Sequence, residues 1–232
     1  MKILHVLYQS IPNTAGSSIR SRDLINSQLK NGITPVVITS PFQPPLEVDL
    51  KKENIEGVIY YRTFSNNSNE IVAEGNTSLV IQLKKIIQLV KFTRTVYGIA
   101  KKEKVQLVHA HAMFFCAIAA LITSFRLKIP MVYEVRSLWE ERYKRKNIFK
   151  HVIFSIITYL ETFSMYYSDR IIVINNALKD NISKRYFLKN KIISIVPNAV
   201  DVSNIKIIEK KNKDLVFGYI GTLSPIEGLG LL

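Results

Sequence analysis

The chain has 232 residues, 47% of them hydrophobic, one cysteine and a formal net charge of +14. This composition supports a sizeable core, excludes a disulfide framework, and points to a reducing compartment. The positive charge calls for an anionic partner. No nucleic-acid motif or regular arginine array is present, so a membrane surface or a phosphate-bearing substrate is preferred to nucleic acid.

MKILHVLYQSIP has one lysine and a short apolar run, and reads as a first buried strand (2–8) rather than a secretory signal. After it, Gly16 and Ser17 stand where a loop turns into a helix reaching Leu29. Backbone amides at such a start attract anions, and glycine admits a phosphate closely. The segment is neither G-x-G-x-x-G nor a P-loop, so NAD and ATP gain no support.

Further β-branched runs follow at 35–39 and 58–64, then a polar loop at 66–78. A helix is expected over about 78–103. Leu79, Leu83, Ile86, Val90 and Tyr97 form its core stripe, with Lys84, Gln88, Lys91 and Thr95 opposite.

Residues 105–125 carry no formal charge, but their pattern changes midway, as for a strand (105–110) followed by a buried helix rather than a membrane span. Cys116 reads as a core thiol. His109 and His111 face the same way in an extended segment. The sequence places no third histidine or carboxylate beside them, so no metal is expected. His111 is expected beyond the strand end, facing a cleft.

A strand at 130–135 leads to Arg136, which suits a carboxylate or phosphate. Equally, Glu134, Arg136, Glu140, Glu141 and Arg142 can form a structural ion network. The densest basic cluster, Arg142, Lys144, Arg145, Lys146 and Lys150, precedes the apolar, aromatic stretch 151–167. That combination suits either attachment to an anionic membrane or a core helix with a solvated basic start. Strands at 170–175 and 191–196 follow, then Pro197-Asn198 in a turn. Residues 208–214 read as a linker, 215–221 as a strand, and Ser224-Pro225 as a helix start.

Strand–helix alternation predicts an α/β fold, a doubly wound, Rossmann-like parallel sheet with its ligand outside the carboxyl ends of the strands. No G-x-S-x-G elbow or Cys–His pairing nominates a protein nucleophile.

The segments SIPNTAGSSIRS, VHAHAMFFCAIAAL, PMVYEVRSLWEE, LETFSMYYSDRIIVIN, VPNAVD and GYIGTLSPIEGLGLL, in this order, resemble the family 4 glycosyltransferases. The resemblance covers essentially the whole chain. It implies the GT-B architecture of two facing Rossmann-like domains, with 1–207 the acceptor-side domain and 208–232 the linker and start of a donor-binding domain. It implies transfer of a sugar from a nucleotide-sugar donor to a polysaccharide or lipid-linked glycan acceptor, usually retaining and metal-independent, with no further cofactor.

By the same resemblance Gly16 and Ser17 approach the donor diphosphate and acceptor, followed by Arg20. His111 contacts the donor sugar, Arg136 is the polar residue after the fifth strand, and Asn198 belongs to the interdomain motif. Ala199 replaces a glycine there and would be strained at positive φ. Thr222 and Glu227 stand where cations bind the donor phosphates in many members. The family's Glu-x7-Glu segment is absent from these residues. The chain alone is therefore expected to be inactive, or to pair with a separately encoded C-terminal half. The expected location is cytoplasmic, peripheral on the inner face of the membrane.

Overall fold

Among the described residues, seven short apolar runs and one polar segment become the eight strands of one sheet: β1 (Lys2–Leu7), β2 (Thr34–Thr39), β3 (Lys52–Ile55), β4 (Val58–Arg62), β5 (Leu107–His111), β6 (Met131–Val135), β7 (Arg170–Val173) and β8 (Ile193–Ile195). The computed structural model describes residues 1–43, 51–63, 79–138, 148–199 and 218–220. It divides into two units, Met1–Val200 and Asp201–Leu232.

The sheet order is β3-β4-β2-β1-β5-β6-β7-β8. All neighbours are parallel except β3, which runs antiparallel to β4. The sequence reading missed β3, because KENI has no apolar alternation. What makes it a strand is the two-residue turn Glu56-Gly57, both at positive φ (51° and 86°). That is the turn geometry whose twist matches a hairpin.

Among the described residues, five α-helices lie between the strands: α1 (Gly16–Lys30), α2 (Leu79–Lys102), α3 (Phe114–Leu127), α4 (Ile148–Tyr167) and α5 (Asn176–Ser183). Successive side chains alternate between the sheet faces. Leu7, Val37, Val58 and Tyr60 therefore pack with Ile25 of α1 on one face. Leu4, Val6, Val108, Ala110 and Tyr133 pack on the other with Phe92 and Val96 of α2, Ala117 and Ala120 of α3, and Met165 of α4. The winding changes direction between β1 and β5, which makes their carboxyl ends the switch point where such folds bind ligands.

Helix α2 corrects one expectation. Its buried residues are Phe92, Val96, Ile99 and Ala100. The stripe expected to face the core points outward instead, with Leu83 59%, Ile86 58% and Val90 46% exposed. At 100° per residue the two sets lie on nearly opposite sides. The helix thus has two apolar faces, and periodicity alone does not say which one the sheet covers.

Other expectations fare differently. The uncharged run 105–125 is indeed a strand followed by a helix, and no helix among the described residues is long and apolar enough to cross a membrane. Cys116 is fully buried. Ala199 is not among the described residues at positive φ, so the strain expected there is absent. In the second unit, Gly218–Ile220 form no strand and are exposed, against the buried strand expected over 215–221. The loop 66–78, the linker 208–214 and the helix start at Ser224 lie outside the described residues.

Candidate active site

Helix α1 begins at Gly16 with no side-chain cap at Ala15 and no acidic residue in its first turn. Its first amides are thus open to an anion. A Cβ built on Gly16 would meet nothing within 4 Å. The residue lies in open space at the carboxyl edge of the sheet, where a ligand can approach the backbone.

Behind this turn the structure joins five of the six candidate residues expected at the cleft into one network centred on Glu134. Arg20 Nε donates to Glu134 Oε1 at 2.8 Å. Its Nη1 donates to Pro197 O at 2.9 Å and Asn198 Oδ1 at 3.0 Å, and Nη2 to Val196 O at 2.8 Å. Arg136 Nε donates to the same Glu134 Oε1 at 3.2 Å. Its Nη1 donates to Ser17 O at 2.7 Å, and Nη2 to Ser21 Oγ at 3.0 Å and His111 Nδ1 at 2.6 Å. One helix, two strand ends and the 196–198 loop are thereby tied together.

His111 differs from its expected placement. It is the last residue of β5 rather than beyond it, and only 2% exposed. Both of its ring nitrogens are engaged, Nδ1 by Arg136 and Nε2 by His5 Nδ1 at 2.9 Å, and His5 Nε2 in turn lies 2.8 Å from Gln28 Oε1. Arginine can only donate. With Arg136 donating to Nδ1, His111 Nε2–H donates to His5 Nδ1, and His5 Nε2–H donates to Gln28. Both rings are neutral in this arrangement. Burial, followed by the nearness of His109, lowers the pKa of His5 to about 3 and holds His111 well below its ordinary value.

The sequence reading missed the third histidine. His5 on β1 lies opposite His109 in register, and His111 lies opposite Glu134. The only local sign was a histidine at an inward position of KILHVL. Burial works against the Glu134 charge. The Arg136 guanidinium, which reaches both carboxylate oxygens, outweighs it and holds the carboxyl below the usual carboxylate range.

Among the described residues, His5, His109 and His111 have ring nitrogens within 4.8 Å of one another, close enough for a cation. His109 Nε2 is buried without a hydrogen bond, 3.4 Å from Glu134 Oε2. Two guanidinium charges against one carboxylate already leave the cluster with one excess positive charge. It therefore suits an anion at its edge better than a cation within it.

A second buried cluster, also unforeseen, fixes the loop entering α1. Arg62, at the end of β4, donates to Ile11 O at 2.7 Å, Thr39 Oγ1 at 3.2 Å and Glu53 Oε1 at 2.6 Å, and also to Ser10 Oγ. Of the basic residues expected at a membrane, Arg142, Lys144, Arg145 and Lys146 lie outside the described residues. Lys150 lies in α4 with its side chain outside them.

A parallel α/β sheet with its site at the carboxyl edge of the switch point is the half-architecture of GT-B proteins. The solved structures it resembles have that fold. The Phytolacca americana UGT2 apo structure matches with a TM-score of 0.56 at 9% identity, over 86% of this chain and 52% of that one. The Methanocaldococcus jannaschii UDP-GlcNAc 2-epimerase in complex with UDP-GlcNAc and UDP matches at 0.50 and 15% identity, over 84% and 46%. The chain belongs to glycosyltransferase family 4, whose model matches residues 14–204. A curated relative, the Escherichia coli UDP-Gal:alpha-D-GlcNAc-diphosphoundecaprenol alpha-1,3-galactosyltransferase, is 28% identical over 162 residues. That match covers 65% of this chain and 38% of the relative, so the chain spans well under half the length of the curated protein it matches.

Proposed function

We propose that the Met1–Val200 unit is the acceptor-side half of a glycosyltransferase that moves a sugar from a nucleotide-sugar donor to a lipid-linked glycan. The observation that carries this reading is the Arg20–Glu134–Arg136 network, with its excess positive charge beside the uncapped start of α1. A sugar diphosphate is the kind of anion such an edge favours, and preorganised charge at a leaving diphosphate is how such transfer is accelerated. In this reading Gly16 and Ser17 form the open floor of the site, and Arg20 and Arg136 supply the charge. Asn198 and its loop are held against the site by Arg20. His111 acts as a positioning residue for Arg136, since its ring is buried and fully bonded. The nucleotide, in this reading, is held by the family's second domain and not by this unit.

The family match and the diphosphoundecaprenol-dependent relative support the lipid-linked acceptor. Peripheral attachment to the inner face of the membrane, as this reading has it, suits an acceptor of that kind. Met165 of α4 packs in the core, as the core-helix reading of 151–167 expects, while the outward residues Val152, Ile156, Tyr159 and Phe163 leave an apolar face that suits such attachment. Two measurements test the proposal together. One is binding of a sugar-diphosphate-polyprenol in detergent micelles, expected to weaken in Arg20→Ala. The other is transfer of label from UDP-galactose into the organic phase with that acceptor present. If neither binding nor transfer is seen, the proposal is wrong.

A further inference from the structure

We propose that the outward stripe of α2, Leu83, Ile86, Ile87 and Val90, is a docking surface for an anionic lipid bilayer. This deepens the membrane reading above and rests on it. The four residues recur at helical spacing and are 59%, 58%, 47% and 46% exposed. They continue no core, since Phe92, Val96, Ile99 and Ala100 fill that role on the other side. An apolar stripe left in water on a long helix marks an interaction surface.

Charge selects the occupant. Helix α2 carries six Lys and Arg residues (Lys84, Lys85, Lys91, Arg94, Lys101 and Lys102) and no Asp or Glu. Arg94 is exposed in line with the stripe, and Lys84 and Lys91, roughly a quarter-turn round the helix, are exposed at its flank. A second copy of this chain would bring like charges together, which opposes self-association. An anionic bilayer meets both features, because apolar side chains enter the headgroup–acyl boundary while lysines pair with lipid phosphates.

The stripe does not act alone. Helix α3 lies between α2 and α4 and packs against both, on one face of the sheet. The outer residues of α4 therefore face the same way as those of α2. With both helices lying on the bilayer, the sheet runs parallel to the membrane and its carboxyl edge, bearing Arg20 and Arg136, opens sideways near the headgroups. A lipid-borne diphosphate lies at that level.

Sedimentation with phosphatidylglycerol-containing vesicles, against phosphatidylcholine alone, tests the proposal on the whole chain. The double variant Ile86→Gln, Val90→Gln should keep the wild-type unfolding midpoint and bind the anionic vesicles roughly tenfold more weakly or worse. Wild-type binding by that variant, with loss in Ile156→Gln, would overturn the role of α2 and leave the membrane reading intact. No binding by the wild type would overturn both. A wild-type dimer that Ile86→Gln dissociates, without vesicle binding, would assign the stripe to self-association and overturn the proposal.

Discussion

Arg20 and Glu134 are 114 residues apart in sequence, and their side chains meet at 2.8 Å with exposures of 14% and 1%. Through this pair the first helix, the end of β6 and the 196–198 loop form one unit. Arg20 spends its remaining donors on backbone carbonyls of that loop and on Asn198. Its planar fork suits three carbonyl-type acceptors in a way an ammonium does not.

Glu134→Ala leaves two arginines facing each other without a counter-charge. It should lower the unfolding free energy by about 3–5 kcal/mol, the usual cost of breaking a buried pair from one side. Denaturant unfolding measures this, and a loss below about 1 kcal/mol would show that the network contributes little to the fold.

Gly16→Ala separates stability from ligand approach. The new methyl group meets nothing within 4 Å, and Gly16 is not at positive φ. The variant should be as stable as the wild type or up to about 1 kcal/mol more stable. Binding of a sugar-diphosphate lipid should nevertheless weaken, because the backbone no longer admits a phosphate as closely. Unchanged binding in a titration would remove Gly16 from the site.

The two faces of α2 should differ sharply. Phe92 is 2% exposed, so Phe92→Ala should cost about 3–5 kcal/mol. Ile86→Ala lies on the bare stripe and should change stability by less than about 0.5 kcal/mol. Equal costs would mean that something covers the stripe in solution.

Acid should destabilise the protein before its carboxylates titrate. Unfolded histidine takes a proton near pH 6.5, whereas folded His5 does so only near 3 because burial opposes its charge. Between those values the unfolded chain binds more protons, so stability is complete above about pH 6.5 and falls as pH drops towards 3. His5 alone should lower the unfolding free energy by roughly 2 kcal/mol between pH 7 and 5. His111 adds in the same direction. His5→Asn should flatten the slope, and a profile flat from pH 7 to 5 in the wild type would show that these rings are not buried neutral.

Cys116 has no exposed surface, and burial pushes its thiol pKa up. It should resist a thiol reagent in the native state and react once the chain is unfolded. Rapid native labelling would contradict the packing of α3.

Much of the architecture was legible in the chain. Seven of the eight strands are β-branched runs, and α1 and α2 end within about two residues of their expected limits. The membership of the site was partly legible, because the resemblance singles out Ser17, Arg20, His111, Arg136 and Asn198. The connections were not. Nothing near His5 says that β1 and β5 will be neighbours, which places its ring 2.9 Å from His111. Glu134 was foreseen in an ion network with nearby charges, yet its second arginine comes from α1.

Hydrophobic period and β-branching are local properties, so the sequence by itself determined the alternation of strands and helices and the family. Which surfaces meet depends on strand order, and only the tertiary structure decided that. It made Glu134 the centre of the network that joins the candidate residues and drew His111 inward. It also turned the stripe of α2 outward, because a helix with two apolar faces buries the one its sheet happens to cover.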